Sequence, residues 1–584
     1  MAKGFLPTSW NEGTTYYNEF VGFDVVFITG DPYYDHPLNG VSIIARLLDA
    51  KGYRVAIIPQ PLKDEDYQVC GKPTYFFCIS SGLLDSMLAN YTPMLHKREN
   101  VLVPERALMV YTQKVKEHFK GATTVLGGME ATLRRFTHFD YRTNELRRGI
   151  LNDTKADILI FGNGDRSILT LLERMKHAKR EEKGTDFENV RTALDLKTIE
   201  GLAFRLKKEE RDTNIRTLPS FEDCLKEKEK FNLLTRIHFL LPDASLVEPC
   251  GLGLVQHNRA SHTLQEKELD LVYELPFTRE LHPQTKNIEF QQEMVGKLDH
   301  SVVIGRGCWG SCTFCVIPLV QGKEVAKRSK ESILREIESL YKKGVKKIND
   351  LTLPTLNMYG SYCALYDTPS KIHSPIINEE LTVYDKPKYC NQQCVGCTYR
   401  KINEDLVPLL EGVEQLQQKY KHTQLELRSA IRHDIILDQK NLFRKMMHFI
   451  TRLKIAPEHI SPHILNQMNK SNPETFKEFL QFYKQVNKEQ KTNKRLVPYF
   501  VAAHPGTTEK DMADLKKFCE KEDLYTSLTQ VFTPTPGTVA TAMYYTGENP
   551  LTRQEVYVPR TFREKKDQKN ILVETETEVY DNNG

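Results

Sequence analysis

VVIGRGCWGSCTFCVIPLVQGKEVAKR, residues 302–328, places three cysteines within eight residues directly after a short β-branched apolar run. Cys308, Cys312 and Cys315 form a C-x3-C-x2-C pattern. A loop of that length can turn three thiolates toward one point, and soft thiolates select iron-sulfur clusters, zinc or Cu(I) over hard cations. Structural zinc is normally closed by four Cys or His ligands. Iron-sulfur clusters usually have four cysteine ligands, so three here leave one iron open to an exogenous ligand. The open corner fits a working cluster better than a structural zinc.

The rest of the chain bounds where such a centre can sit. Its 584 residues are enough for two or three domains with a large core. Lys and Arg total 81 against 77 Asp and Glu, a net charge of +4 that neither supports nor excludes a nucleic-acid partner. No run approaches the length of a membrane span, and the opening MAKGFLPTSWNEG has no apolar signal core, so the expected location is cytoplasmic, with no membrane partner. Seven of the twelve cysteines lie between 308 and 397. That clustering points to metal ligation in a reducing compartment rather than to a disulfide framework.

Before residue 208 the chain alternates strand and helix patterns. FDVVFIT (23–29), the helical VSIIARLLDAKG and YRVAIIPQP form a strand-helix-strand unit, which implies parallel pairing. Further apolar runs at 75–80, 123–128 and 157–162 predict a doubly wound, Rossmann- or flavodoxin-like parallel sheet of about five strands. Ligands of such sheets sit at the carboxyl ends of the strands. Asp31, Asp35, His36 and Glu130 are the polar groups expected there. Cobalamin is not expected, because the Asp-x-His-x-x-Gly pattern of its domains is broken: His36 directly follows Asp35 and Gly40 lies four residues on. Gly127 to Arg135 (GGMEATLRR) opens a helix whose free N–H groups could hold an anion.

The predicted organisation is an α/β domain over 1–207 and a bridging segment over 208–296. A partial (β/α)6, TIM-like barrel over 297–545 follows, with a Cys-rich loop at 360–400, and then a partly disordered extension over 546–584. Barrel strands are expected at 302–306, 347–351, 424–430, 452–456, 497–503 and 528–532, with active-site groups at their carboxyl ends. Ser329 to Lys343 reads as an amphipathic helix with Ile333, Ile337 and Leu340 on one face. A second group, Cys363 with Cys390, Cys394 and Cys397, lies on the long loop, and four thiolates there could close a zinc or a second iron-sulfur cluster.

Cys308-Trp309-Gly310-Ser311-Cys312-Thr313-Phe314-Cys315, with an aromatic just before the third cysteine, resembles the signature of radical S-adenosylmethionine (SAM) enzymes. Thr29-Gly30-Asp31, Asp35-His36-Pro37, residues 127–135 with His138 and Asp140, and His257-Asn258-Arg259 narrow the resemblance to the YgiQ-type radical SAM proteins, a family of undetermined reaction. The resemblance implies a 4Fe-4S cluster on Cys308, Cys312 and Cys315 and SAM on its open iron. It also implies reductive cleavage of SAM to a 5'-deoxyadenosyl radical and an electron donor such as flavodoxin or ferredoxin. Glu458 and the turn His504, Gly506 and Thr507 become candidates for holding SAM, and Cys363 falls at the family's expected distance.

One departure stands out. Thr352-Leu353 replaces a Gly pair whose carbonyls serve the SAM amine in that family, which puts the geometry of SAM binding in question. The substrate is unidentified. The alternatives are an RNA-modifying, methylthiotransferase-like enzyme, a cobalamin-dependent radical enzyme, or a non-catalytic binding protein that uses its metals structurally.

Overall fold

Val25–Thr29 (β1), Val55–Pro59 (β2), Phe76–Ser80 (β3), Thr124–Leu126 (β4) and Ile158–Ile160 (β5) are apolar runs bounded by turn residues, and four of the five are buried at every position. In the computed structural model, which describes residues 4–180, 194–251, 253–285, 298, 300–364 and 394–573, they pair in parallel in the order β2-β1-β3-β4-β5. Val25, Phe27, Val55 and Ile57 enter one core cluster, while Val26, Ile28, Ala56 and Ile58 enter another. Burial on both faces is what a sheet covered by crossover helices requires. The first of those helices, Gly40–Ala50, starts where the Asn39 side chain accepts from the amides of Val41 and Ser42.

The sheet is larger than the sequence predicts. Leu202–Leu206 (β6), Arg216–Thr217 (β7), Leu246–Cys250 (β8) and Gly253–His257 (β9) extend it to nine strands, in the order β2-β1-β3-β4-β5-β6-β9-β8-β7. β5, β6, β9 and β8 pair antiparallel in succession, and β7 lies parallel to β8. The stretch read as a bridge therefore supplies three strands. Short β-runs separated by charged helices gave no helix-period signal linking them to a parallel sheet, whereas antiparallel pairing needs only tight connections.

The chain divides into two compact units, 1–303 with 319–322, and 304–318 with 323–584. In the second unit Gly305–Arg306 (β10) pairs antiparallel with Ala326–Lys327, while Lys347–Ile348 (β11), Gln424–Leu425 (β12), Arg452–Glu458 (β13), Arg495–Ala502 (β14) and Thr529–Val531 (β15) occupy successive strand positions. The Ile304 amide donates to the Thr352 carbonyl at 3.1 Å, β11 pairs in parallel with β12, Ile431 bridges Ile455, and β13, β14 and β15 pair in parallel. Helices including Lys330–Lys342, Leu406–Lys419, Pro473–Glu489 and Glu509–Glu522 lie between them, so the succession is that of the expected (β/α)6 barrel. Lys330–Lys342 is capped by Ser329 and buries Ile333, Ile337 and Leu340, the face its spacing predicts.

The third barrel strand is shorter than expected. The amides of Arg428 and Ser429, which a ladder would use, donate instead to Asp350 Oδ1 at 2.8 and 3.1 Å. Among the described residues no helix is long and apolar enough to cross a membrane. The extension contains the helix Phe562–Leu572, while residues 574–584 and most of the Cys-rich loop, including Cys390, lie outside the described residues.

Candidate active site

The cysteine loop leaves β10 through Gly307 at φ 91° and turns again at Ser311, which sits in the left-handed region at φ 53°. Two left-handed residues so close together fold the loop back on itself. It is then pinned on both sides: Thr313 N donates to the Met468 carbonyl at 3.1 Å, Ala540 N to the Thr313 carbonyl at 3.0 Å, and Asn469 Nδ2 to the Ser311 carbonyl at 2.9 Å. Trp309 is buried, and its indole N–H donates to Ser361 Oγ at 2.9 Å.

Gly310 shows where the sulfurs point. A Cβ there would stand 2.9 Å from Arg432 Nη1, 3.4 Å from Cys308 Sγ and 3.8 Å from Cys312 Sγ, so two thiols and a guanidinium surround one backbone position. Cys308 Sγ also lies 3.5 Å from Thr355 Oγ1 and 3.8 Å from Met358 Sδ. Burial pushes the Cys315 thiol up, and the charges of Cys312, Cys308 and Glu458 add to that push, which places all three thiols and Glu458 within electrostatic reach of one another. Among the described residues no three His, Cys, Asp or Glu groups converge tightly enough for one shared metal ion. Thiolates that each bind a different iron of a cluster stand farther apart than ligands sharing a single ion at about 2.3 Å each.

Arg432 is the residue that sequence reasoning missed. It is buried, pairs with Asp434 through Nη2 at 2.6 Å and Nε at 2.9 Å, and directs Nη1 at Cys312 Sγ from 3.6 Å. Burial alone would raise the Asp434 carboxyl, but the Arg432 charge outweighs it and holds the group well below its ordinary range. The polar stretch at 428–433 signals a strand end; nothing in its pattern says which side chain reaches the thiols.

The expected SAM residues gather at the ends of β13 and β14. Glu458 is buried at φ 68°, with Lys470 Nζ 3.6 Å from its carboxylate. His459 and His504 are both buried, and burial lowers each to a pKa of about 4, so both are neutral at physiological pH. His459 Nδ1 accepts from the amides of Ile460 and Ser461, and His504 Nδ1 lies 2.8 Å from the Pro505 carbonyl. In contrast, Nε2 of both rings and the hydroxyl of fully buried Thr507 meet no partner among the described residues. Gly506, at φ 97°, lets the turn close by donating its amide to the Tyr557 carbonyl at 2.6 Å. Phe314, the aromatic before Cys315, packs edge-on against His504 with centroids 5.9 Å apart, joining the cysteine loop to this turn.

Thr352 and Leu353 take the place of the expected glycines without strain: neither has a positive φ, and buried Leu353 packs where Gly305 has no side chain. In the second cysteine group Cys363 pairs in register with Arg400, whose Nη2 lies 3.2 Å from Cys394 Sγ and whose guanidinium covers the Trp309 ring at 5.2 Å. Ser311 Oγ reaches Cys394 Sγ at 3.9 Å, so the two cysteine stretches adjoin. Cys397 is half-buried next to them.

The polar residues expected to face a ligand from the sheet are engaged within it. Asp35 forms a buried ion pair with Arg46 at 2.5 Å, and His36 has Leu38 N on Nδ1 at 3.1 Å and Arg279 on Nε2 at 3.0 Å. Asp31, raised by burial to about 6, accepts from Leu83 N, and Glu130 accepts from Ser86 N.

Comparison with known proteins places the chain. The profile of the Radical SAM N-terminal family matches residues 5–295, and a domain of unknown function (DUF3362) matches 528–581. The UPF0313 protein MJ1155 of Methanocaldococcus jannaschii is 37% identical over 99% of this chain and 93% of its own length. The chain belongs to the UPF0313 family. The UPF0313 proteins GSU2873 of Geobacter sulfurreducens, at 34% identity over 97% of this chain and 92% of its own, and of Clostridium botulinum strain Okra, at 33% over 96% and 85%, agree. This UPF0313 protein is a radical SAM enzyme. Among solved structures, the radical SAM methyltransferase TsrM of Kitasatospora setae, with cobalamin and a [4Fe-4S] cluster bound, is 11% identical over 89% of this chain and 74% of its own, with a TM-score of 0.49.

Proposed function

We propose that Cys308, Cys312 and Cys315 each hold one iron of the 4Fe-4S cluster, that SAM takes the fourth iron, and that the enzyme abstracts hydrogen from an organic substrate. When bound, cluster and SAM supply reductive cleavage of the sulfonium to a 5'-deoxyadenosyl radical, with the electron coming from a donor such as flavodoxin or ferredoxin. The observation that carries this reading is the convergence of Cys308 Sγ, Cys312 Sγ and Arg432 Nη1 around Gly310. Arg432 directs a fixed charge at Cys312 Sγ and holds it in place.

The unpartnered Nε2 atoms of His459 and His504 and the Thr507 hydroxyl fit a polar cofactor that meets them when bound. A buried polar group without a hydrogen bond costs about 1–3 kcal/mol, so three of them in one stretch suit a ligand site better than a closed core. Neutral His459, whose Nδ1 accepts from two amides, offers an N–H at Nε2, and neutral His504, whose Nδ1 donates to the Pro505 carbonyl, offers a lone pair there. Gly506 keeps the turn open to close backbone approach, and Glu458, raised by burial, takes a proton or a ribose hydroxyl more readily than an exposed carboxylate.

Cys363, Cys394 and Cys397, with Cys390, form a second site in the same reading, holding a zinc ion or a second iron-sulfur cluster. Arg400, in register with Cys363 and with Nη2 3.2 Å from Cys394 Sγ, sets a fixed positive charge beside the group, which speaks for metal ligands over inert thiols. Axial ligation of cobalamin by His36 would break its contact with Arg279, and retention of hydroxocobalamin through gel filtration tests whether the first loop of the sheet takes that cofactor. The chemistry needs the reducing conditions of the cytoplasm.

Electron paramagnetic resonance of the anaerobically reconstituted, dithionite-reduced protein tests the central reading. A cluster signal that changes on adding SAM, and disappears in the Cys308→Ala, Cys312→Ala, Cys315→Ala triple variant, is expected. A signal indifferent to SAM contradicts it. Metal analysis of the same triple variant should still find iron or zinc on the second cysteine group.

A further inference from the structure

Arg134 and Arg135 are neighbours in sequence and both are buried, yet only one has a counter-charge. Arg134 holds Asp85 at 2.6 Å and Asp140 at 3.2 Å. Arg135, 5% exposed, forms no ion pair among the described residues. Its Nη2 lies 2.7 Å from His238 Nε2, its Nη1 donates weakly to the Thr132 carbonyl at 3.4 Å, and its Nε meets nothing. The rings of Phe136 and Phe161 cover its guanidinium at 4.7 and 4.3 Å. Burial pulls Arg135 down to about 9, which still leaves it charged at neutral pH, and an unpaired buried charge is costly.

Two further buried side chains of this unit carry polar atoms without partners among the described residues. His257, on β9 and 1% exposed, has neither ring nitrogen engaged, and its ring lies 4.2 Å from that of Phe136. Burial, reinforced by the Arg135 charge, keeps His257 neutral. Glu248 on β8 faces Val255 across the antiparallel ladder and so shares a sheet face with His257. It is also 1% exposed, and its Oε1 accepts from Thr137 N at 2.7 Å while Oε2 has no partner. Two stretches that the radical chemistry does not use, 127–135 and 257–259, therefore meet at Phe136.

We propose that Arg135 and His257 form a binding site for an organic carboxylate in the sheet unit. The guanidinium supplies a charged edge and His257 a neutral N–H donor. With aromatic rings over the guanidinium, an anion is left its in-plane edge, where a planar carboxylate lies coplanar with the fork more easily than a tetrahedral phosphate. Glu248, raised by burial to about 7, can meet such a ligand protonated and donate from Oε2.

The test uses the full-length protein without SAM, which itself carries a carboxylate. Calorimetric titration and thermal melting are followed with sodium acetate, sodium chloride and inorganic phosphate at matched ionic strength and pH 7. Acetate should bind saturably and raise the melting temperature above the chloride control. Arg135→Gln and His257→Phe should each weaken acetate binding by about tenfold or more while keeping native circular dichroism. Should Arg135→Gln fail to fold, His257→Phe decides alone. Acetate acting no differently from chloride, variants binding it as tightly as the parent, or saturable binding of phosphate in place of acetate would each overturn the assignment.

Discussion

In the loop after β1 the sheet buries Asp35 against Arg46 and places His36 between Leu38 N and Arg279, so the buried charges are paired and each imidazole nitrogen has a polar neighbour. In the turn after β14 the barrel buries His504 and Thr507 with side-chain atoms that meet none. Both loops follow parallel strands and both read in the sequence as polar, ligand-facing positions. The difference is one of satisfaction: in the first loop the polar groups hold the fold together, and in the second they wait for something else. A buried polar residue is informative about function when its hydrogen-bonding capacity is left over, not when it is merely buried.

The largest effect should come from the barrel. Replacing Cys308, Cys312 and Cys315 together with alanine should abolish the part of the visible charge-transfer absorption that responds to SAM, while far-ultraviolet circular dichroism stays native. Unfolding of the triple variant would instead give these cysteines a structural metal and erase the contrast with the sheet.

The next effect belongs to the sheet. Asp35→Ala strips the partner from buried Arg46 and removes an acceptor from Thr278 N, so chemical denaturation should show a loss of about 3–5 kcal/mol. A loss below about 1 kcal/mol would mean that this pair, like an exposed one, is not holding the loop.

The sequence showed the parallel half of the sheet, because Val25–Thr29 and Val55–Pro59 carry apolar runs with a helix-period segment between them. Beyond the strand-like run at 199–207, which holds β6, it hid the antiparallel half, where β7 is only two residues long and two residues separate β8 from β9. It showed the three thiols, whose spacing is local. Arg432 was not legible, since its reach to Cys312 depends on how a strand end 120 residues away is aimed. Likewise the consecutive residues Arg134 and Arg135 are equivalent in sequence, and only the placement of Asp85 and Asp140 separates the paired cation from the unpaired one.

A pH series gives a smaller effect and sharpens the comparison. His504 is lowered to about 4 from an ordinary 6.5, so the folded state binds fewer protons than the unfolded state between those values. The stability it contributes is present above about pH 6.5 and is lost as pH falls toward 4. On the scale of ~1.4 kcal/mol per pKa unit, the loss between pH 7 and 5 is roughly 2 kcal/mol. His504→Asn should flatten that slope in denaturant titrations; an unchanged slope would place the ring in contact with water.

The smallest effect should be Thr507→Val. Its hydroxyl has no partner to lose, so stability without SAM should change by less than about 1 kcal/mol. Weaker SAM binding in calorimetry is expected alongside, and a large loss of stability without SAM would show that the hydroxyl already serves the fold.

The central claim is that the cysteine loop of the barrel makes SAM reactive, and product analysis addresses it most directly. Anaerobically reconstituted protein is incubated with dithionite and SAM, and 5'-deoxyadenosine is quantified by chromatography with mass detection. The account predicts 5'-deoxyadenosine from the parent and none from the Cys308→Ala, Cys312→Ala, Cys315→Ala variant. A fully iron-loaded parent that yields none, or a variant that yields as much, would contradict it.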